Sequence, residues 1–384
     1  MRLEVRYRGV SVGVLDDSTG RLLFQYDQRW LGRGVELSPF YLPLQEGVVS
    51  PKSPFEGGLP GIFADSLPDY WGRSIMDRRL REAGINPAIV SVLKRLALVG
   101  GGGFGALSYH PAESDDACEV QSLADVVRFS REVIRMESAI LPGTAVMQQA
   151  GSNPGGRYPK LSVGWNPSVG QLVVGAQDYP EDYIPCLLKL DLGKDMPQGE
   201  EDLCRREFAM LESAESCGLR VTERWLLEGR EVDGSSHAHL LVRRFDRESG
   251  ERVHMHSFSG VAHALSVRYS NSYEELMRTV SALTRDQREV DEMFRRMAFN
   301  VLFGNRDDHV RNHGFLMSEP NVWKLSPVFD LTPTPQLDEH RLSVNGKWSG
   351  IGLEDLQAVG RAFSVSGIDE TLKQIRDAAS EAQL

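Results

Sequence analysis

Residues 304–317 read GNRDDHVRNHGFLM, and residues 327–333, a short way downstream, read PVFDLTP. The first stretch follows the most regular amphipathic helix pattern of the chain, over 287–303. Its apolar end begins a predicted hairpin, FLM-SEPN-VWKL at 315–325, which lies between the two stretches. Polar loops between two buried elements are frequent places for functional side chains. Three residues of these stretches are therefore candidate functional residues: Asp307, Asn312 and Asp330.

These three residues have the chemistry that phosphoryl transfer requires. A carboxylate accepts the proton of the attacking hydroxyl, while an amide oxygen and a second carboxylate hold Mg²⁺ against the phosphates. Protein kinases use a loop Asp, an Asn five residues later and a hairpin that leads to a metal-binding Asp. We therefore predict that Asp307 is the base and that Asn312 and Asp330 are Mg²⁺ ligands. The alternative is that these side chains only cap turns.

Two charged residues upstream interrupt apolar patterns. Lys189 lies inside the strand-like run IPCLLKLDL, and Glu207 falls on the apolar face of a helix predicted over 201–217. Because an unpaired buried charge is costly, we predict that Lys189 and Glu207 form an ion pair that aligns nucleotide phosphates. The alternative is a lysine whose ammonium group reaches solvent and a glutamate at the rim of the core.

Two glycine-rich stretches are candidate phosphate loops. Residues 100–105 (GGGGFG) lack the Lys-Ser/Thr and the helix start of a P-loop, so we exclude them. Residues 152–160 (SNPGGRYPK) are better placed, because backbone N–H groups of a glycine-rich loop can hold phosphates.

Composition excludes several classes of protein. The 384 residues carry a net charge of −11, so direct binding to nucleic acid is not expected. No apolar run is long enough for a membrane helix, and the first residues lack the apolar core of a signal peptide. The cysteines have no metal-binding spacing, and we expect free thiols in a cytoplasmic protein. They are Cys118, Cys186, Cys204 and Cys217.

The order of the patterns predicts three domains: a small α+β unit over 1–110, a strand-rich lobe over 111–245 and a helical lobe over 246–384. At the start of the chain, residues 3–15 and 21–26 are predicted as strands joined by a hairpin turn.

Hydrolases are the other enzyme classes that the loop suggests. Asp307, His309 and His313 together would suit a metal hydrolase, but no second carboxylate cluster accompanies them. A serine hydrolase would need a nucleophile elbow of the G-x-S-x-G type, which the sequence lacks.

Several of these stretches resemble one known family. GNRDDHVRNHGFLM resembles the catalytic loop of HipA-like kinases, LSPVFDLTPT looks like their metal-binding segment, and SNPGGRYPK is similar to their phosphate loop. FADSLPDYWGR, near 63–73, looks like the signature of the amino-terminal subdomain of that family. The resemblance covers nearly the whole chain. It implies an α+β fold, a bilobal protein-kinase-like structure with a small amino-terminal α+β subdomain.

The resemblance also implies roles for individual residues. Asp307 would be the catalytic base, and Asn312 and Asp330 would bind Mg²⁺. The backbone of Arg243 to Phe245 would meet adenine, and Ser152 would be a site of autophosphorylation. The residues implied at the nucleotide are Ser152, Gly155, Gly156, Lys189, Arg243, Phe245 and His309.

The family implies a cytoplasmic, ATP- and Mg²⁺-dependent serine/threonine kinase toxin of a type II toxin–antitoxin system, a class linked to persistence. Its target would be an aminoacyl-tRNA synthetase such as glutamyl-tRNA synthetase. Its partner would be a HipB-like helix-turn-helix antitoxin, through which it would reach DNA indirectly. Two residues depart from the family pattern: Arg311 replaces a usual lysine, and Arg243 replaces a common acid. The alternatives are a non-catalytic co-repressor partner of the antitoxin and a kinase for a small molecule or a lipid headgroup.

Overall fold

The structure is a computed structural model, which describes residues 1–50, 55–68, 70–113, 118–135, 144–152, 157–175, 179–196, 202–230 and 236–382. Its helices are α1 Gln28–Leu31, α2 Gly61–Ala64, α3 Tyr70–Glu82, α4 Val92–Val99, α5 Leu123–Arg135, α6 Thr144–Ser152, α7 Leu203–Ser216, α8 Phe258–Ala262, α9 Tyr273–Thr284, α10 Gln287–Leu302, α11 Leu353–Ala362 and α12 Ile368–Glu381. Its strands are β1 Arg2–Tyr7, β2 Val10–Asp16, β3 Leu23–Tyr26, β4 Val48–Val49, β5 Leu107–His110, β6 Glu119–Gln121, β7 Lys160–Asn166, β8 Gln171–Val174, β9 Ile184–Lys189, β10 Arg224–Arg230, β11 Ser236–Arg243, β12 Arg247–Glu248, β13 Glu251–Arg252, β14 His254–Ser257, β15 Gly314–Glu319 and β16 Val322–Leu325.

The described chain divides into two compact units. The first consists of Met1–Leu37, Leu42–Arg205 and Glu223–His254, and the second of Ser38–Tyr41, Arg206–Thr222 and Met255–Leu384. The three domains expected from the sequence, with boundaries near 110 and 245, stay predictions.

The first unit contains two larger antiparallel sheets. One has the strand order β4-β3-β2-β1-β5, and the other has the order β10-β11-β9-β7-β8-β6. The second sheet buries one face against helices α3, α5 and α6, because alternate strand residues point to the same side. Leu161 and Val163 of β7 and Leu188 of β9 lie on this core side, next to Trp71 and Ile75 of α3.

The amino terminus differs from its prediction in one respect. The run 3–15 forms two strands, β1 and β2, and not one, because the chain reverses at Arg8 and Gly9. Both residues have positive φ angles, 47° and 77°, as the central residues of a type I′ hairpin turn require. The predicted hairpin between residues 15 and 21 is confirmed, since β2 pairs antiparallel with β3, which begins at Leu23.

The second unit is mainly helical around one small sheet. Strand β14 lies beside β15, which pairs with β16 in the predicted hairpin. Helix α10 packs against α9 and α12 and buries the apolar face that the sequence predicts, including Met293, Phe294 and Met297. Asp286 caps its amino terminus by accepting a hydrogen bond from the Arg288 amide.

All four cysteines are thiols that form no disulfide bond, as the sequence predicts. Within the described ranges, no helix combines the length and the apolar character that crossing a membrane requires.

Candidate active site

The loop after α10 is fixed from within by a buried carboxylate. Asp308 is fully buried, and its Oδ2 atom accepts hydrogen bonds from the Tyr273 hydroxyl at 2.8 Å and from Nδ1 of His340 at 2.9 Å. Its Oδ1 atom accepts a third from the backbone amide of Arg341 at 2.7 Å. Burial and the nearby Asp308 charge raise the pKa of Tyr273 well above its ordinary value, so this phenol stays a donor.

Two buried asparagines extend this network back into α10. Asn300 donates to the Tyr273 hydroxyl oxygen at 2.8 Å, and Asn305 donates to Oδ1 of Asn300 at 3.0 Å. The helix, the start of the loop and α9 are thereby joined through buried polar side chains. Such networks specify one arrangement when their members find partners.

The neighbouring residue, Asp307, is half-exposed, with 48% of its side-chain surface accessible. Its backbone carbonyl accepts a hydrogen bond from Nδ2 of Asn312 at 3.0 Å. Oδ1 of Asn312 has no hydrogen-bond donor among the described residues and is therefore available as a ligand. The structure thus brings Asp307 and Asn312 together at an accessible point of the loop.

Asp330 follows the β15–β16 hairpin and has a φ angle of 52°, in the left-handed region that Asp and Asn tolerate best among side-chain-bearing residues. The chain beyond it is hydrogen-bonded to the start of the loop. The amide of Thr334 donates to the carbonyl of Gly304 at 3.2 Å, and Oγ1 of Thr334 accepts from the amide of Arg306 at 2.7 Å. These bonds link the Asp330 segment to the loop that carries Asp307.

The two histidines of the loop have different environments. Burial outweighs the nearby Asp308 charge and lowers the pKa of His313 to about 4, so its imidazole is neutral. Its Nε2 atom lies 3.4 Å from the Asp308 carbonyl oxygen, to which it can donate. Nδ1 of His309 accepts from the Arg311 amide at 3.3 Å. Among the described residues, no three or more His, Cys, Asp or Glu side chains form a group that could hold a metal ion.

In the first unit, Lys189 has a neighbour that the sequence alone does not indicate. Lys160 of β7 lies directly opposite Lys189 of β9 in the antiparallel pair. Opposed residues share a face of the sheet, and this face is the one away from Leu161 and Leu188 of the core. Lys160 is only 4% exposed. Two lysines therefore lie side by side on one face.

The segment expected to meet adenine has little free backbone. The amides of Arg243 and Arg244 already donate to the carbonyls of Glu223 and Pro185. The Arg243 side chain pairs with Glu223 at 2.7 Å. Two of the three amides of this stretch are therefore committed to backbone carbonyls, and Phe245 is half-buried.

The glycine stretch excluded as a phosphate loop packs against this segment within the same unit. Arg244 and Asp246 are almost completely buried, and Arg244 donates to the Gly103 carbonyl at 3.2 Å. The Gly105 amide donates to Asp246 at 2.7 Å. Burial alone would raise the pKa of Asp246, but the guanidinium groups of Arg244 and Arg247 hold it well below its ordinary value. The stretch therefore has a structural role.

Three of the predicted nucleotide residues fall at or beyond the edge of the described chain. Ser152 is the last residue of α6, and Gly155 and Gly156 lie outside the described residues. Glu207 is buried on α7 in the second unit, whereas Lys189 belongs to the first. Their ion pair stays a prediction.

Most of the chain matches two known domain families. Residues 3–110 match the HipA N-terminal domain, and residues 152–383 match the HipA-like C-terminal domain. The second match alone spans more than half of the chain. The chain belongs to the HipA family.

Relatives and solved structures agree with this membership. Y4dM of Sinorhizobium fredii carries the name of a kinase whose activity is inferred. It is 25% identical over 350 residues, which cover 86% of this chain and 77% of that protein. A Haemophilus influenzae protein with the same description is 25% identical over 160 residues, 38% of this chain and 46% of its own. The Shewanella oneidensis HipA structure, solved with HipB and operator DNA, superposes with a TM-score of 0.72 at 17% identity, covering 99% of this chain and 90% of that one. The α+β, HipA-like fold expected from the sequence is confirmed.

Proposed function

We propose that this HipA-family chain is an ATP- and Mg²⁺-dependent serine/threonine protein kinase. The observation that carries the proposal is the loop of the second unit. There a half-exposed carboxylate, Asp307, lies beside the Asn312 amide, and the buried Asp308 fixes the backbone between them. The two relatives that are named as kinases support the same class of reaction.

The residues of this loop fit Mg²⁺ and the attacking hydroxyl. Mg²⁺ prefers oxygen ligands, and Oδ1 of Asn312 together with the Asp330 carboxylate would hold it. The bound ion would supply positive charge against the phosphates. Asp307 accepts the proton of the attacking serine or threonine hydroxyl, and its exposure leaves room for that group.

Residues of the first unit would bind the nucleotide. Lys189 and the opposing Lys160 place two positive charges on one sheet face, which suits the phosphates of ATP. The backbone of Arg243 to Phe245 would meet the base, as the family resemblance implies. His309, on the loop that carries Asp307, would also lie beside the nucleotide by the same resemblance.

The partner proposed for the chain is a HipB-like helix-turn-helix antitoxin. The solved Shewanella oneidensis relative is a HipA of a toxin–antitoxin system in complex with HipB and operator DNA. With a net charge of −11, this chain would reach DNA through its partner and not by itself. Its proposed biological role is that of a cytoplasmic toxin that phosphorylates an aminoacyl-tRNA synthetase, such as glutamyl-tRNA synthetase, and thereby halts translation.

The test is incubation of the purified chain with γ-labelled ATP, Mg²⁺ and whole-cell lysate, with the Asp307→Asn variant as control. We expect a labelled synthetase, identified by mass spectrometry, with the wild type alone. Label in a different protein would identify a different substrate. Label in no protein and no small molecule would contradict the proposed kinase activity. Growth arrest that persists with Asp307→Asn would favour the co-repressor role instead.

Ser152 remains the proposed site of autophosphorylation. A phosphate would add a charge of about −1.5 to −2 at the end of α6, where a negative charge opposes the helix dipole. We expect one added phosphate after incubation with Mg·ATP and none on Ser152→Ala, measured by intact mass. Phosphate on another serine would contradict this assignment alone.

A further inference from the structure

Arg341 lies beside the carboxylate proposed as the base. Its Nε atom is 3.3 Å from Oδ1 of Asp307. The two terminal amino groups of the guanidinium have no hydrogen-bond partner in the described ranges of the chain. Four N–H donors are therefore available next to Asp307.

The fold fixes the position of this arginine. Its backbone amide donates to Oδ1 of the fully buried Asp308 at 2.7 Å, and the preceding residue, His340, contacts Oδ2 of the same carboxylate. The amide of His340 also donates to the carbonyl of Trp348 at 2.8 Å. The buried Asp308 side chain thus anchors the backbone that carries Arg341. Because Asp308 is next to Asp307 in the sequence, it also anchors the backbone that carries the base.

Structural stability does not account for the Arg341 side chain. The side chains of Arg341 and Asp307 are 40% and 48% exposed, and exposed ion pairs contribute little to stability. A guanidinium with free donors in a fixed place is instead suited to phosphoryl oxygens, which its planar fork binds through two hydrogen bonds.

We propose that Arg341 is a further catalytic residue, which binds the transferring phosphoryl group. This rests on the proposed kinase function. The attacking oxygen must lie about 2.6–3.2 Å from the Asp307 carboxylate. The γ-phosphorus lies about 3–3.5 Å from that oxygen. A guanidinium that already contacts Asp307 through Nε can therefore reach the phosphoryl oxygens with its terminal amino groups.

In the step itself, the hydroxyl oxygen of the substrate forms a bond to the γ-phosphorus. The bond from that phosphorus to the β,γ-bridging oxygen breaks, and ADP leaves with the electron pair. The hydroxyl proton passes to Asp307 and then to water. Negative charge is spread over the three phosphoryl oxygens in the transition state, and the Arg341 donors stabilise it there.

The test compares Arg341→Gln and Arg341→Lys with a matched control, Arg268→Gln. Arg268 is another exposed arginine of the same unit, paired with Glu339 outside the proposed machinery. The full chain is used, with purified substrate protein once the labelling experiment has identified it. We measure kcat, KM for ATP, the affinity for Mg·ADP, and the affinity of the Mg·ADP complex for fluoroaluminate, which mimics the transferring group.

We expect Arg341→Gln to lower kcat about 10²-fold or more, because the loss of one hydrogen-bond donor to transition-state charge has an effect of this size. KM for ATP and Mg·ADP affinity should change little, whereas fluoroaluminate binding should weaken. Arg341→Lys should restore part of kcat, because it restores the charge without the fork. Arg268→Gln should match the wild type.

Two results would overturn the assignment of Arg341. One is an Arg341→Gln variant with wild-type kcat and fluoroaluminate affinity. The other is a higher kcat in Arg341→Gln than in Arg341→Lys. The neutral amide of glutamine can orient Asp307 but cannot stabilise phosphoryl charge as a cation does, so this order would indicate a positioning role. A wild-type chain that transfers no phosphate would instead contradict the proposed kinase function, which separates the two failures.

Discussion

Lys160 and Lys189 lie directly opposite each other on the adjacent antiparallel strands β7 and β9. Both residues lie on one face of the sheet, and Lys160 is almost completely buried. Two cations held on one sheet face, away from the apolar core, have the right chemistry for a polyanion such as the triphosphate of ATP.

The first prediction is that Lys160→Met and Lys189→Met each weaken Mg·ATP binding about ten- to a hundredfold, the range expected when a charged hydrogen-bonding group is lost. Thermal unfolding of each variant separates a loss of ATP affinity from a loss of folded protein. Titration with a fluorescent ATP analogue and thermal unfolding measure these effects. The exposed Lys194 provides the control, Lys194→Met. Wild-type affinity in both variants would exclude a phosphate site at this pair.

The second prediction separates two adjacent aspartates. Asp308→Ala should destabilise the chain, because each buried donor left without its partner, on Tyr273 and His340, costs about 1–3 kcal/mol. Asp307→Asn should change stability by about 0.5 kcal/mol or less and lower phosphoryl transfer about 10²-fold or more. Denaturant unfolding and a transfer assay measure the two effects. Equal stability losses in both variants would contradict the distinction.

The third prediction concerns the backbone and the carboxylate of Asp330. Asn tolerates a φ angle of 52°, whereas Ala at this position costs about 1–2 kcal/mol. Asp330→Asn should therefore keep the stability of the wild type, and Asp330→Ala should lose some. Both variants should lose Mg²⁺-dependent ATP binding, measured by calorimetry with and without the metal. Unchanged Mg²⁺ dependence in Asp330→Asn would exclude Asp330 as a metal ligand.

The fourth prediction is a pH dependence of stability that comes from His313. Its pKa falls from 6.5 to about 4 on folding, mainly because burial disfavours the imidazolium. Between these values the unfolded chain binds the proton and the folded chain does not. The free energy of unfolding should therefore fall as pH falls from about 6.5 to about 4, by about 1.4 kcal/mol per pH unit from this residue. In His313→Gln that part of the slope should be absent. An identical slope in the variant would contradict this assignment.

Local patterns predicted much of the fold. The apolar period of α10 and the β15–β16 hairpin are both confirmed, because period and turn chemistry act over a few residues. The run 3–15 was predicted as one strand, since its alternation continues through the turn at Arg8 and Gly9. A left-handed φ at Arg8 is not a property that its residue type indicates.

In the candidate site too, local patterns predicted some residues, whereas contacts between distant parts of the chain were not predictable. Asp307, Asn312 and Asp330 stand in a recognisable spacing, whereas nothing in the sequence distinguishes Asp308 as the buried anchor. Its partners Tyr273 and His340 are 35 and 32 residues away along the chain. The sequence places Lys160 at the end of the predicted phosphate loop, because its pairing with Lys189 depends on a strand register that no local pattern specifies.

The buried cluster around Arg244 has a practical consequence for anyone who shortens this protein. Gly103 and Gly105 supply a carbonyl and an amide to Arg244 and Asp246, 141 residues later in the sequence. A chain that begins after residue 110 would keep both charged side chains and lose these partners, and the Phe104 ring below Arg244 as well. Such a fragment should express poorly or aggregate, even though it retains the whole of the region that matches the HipA-like C-terminal domain.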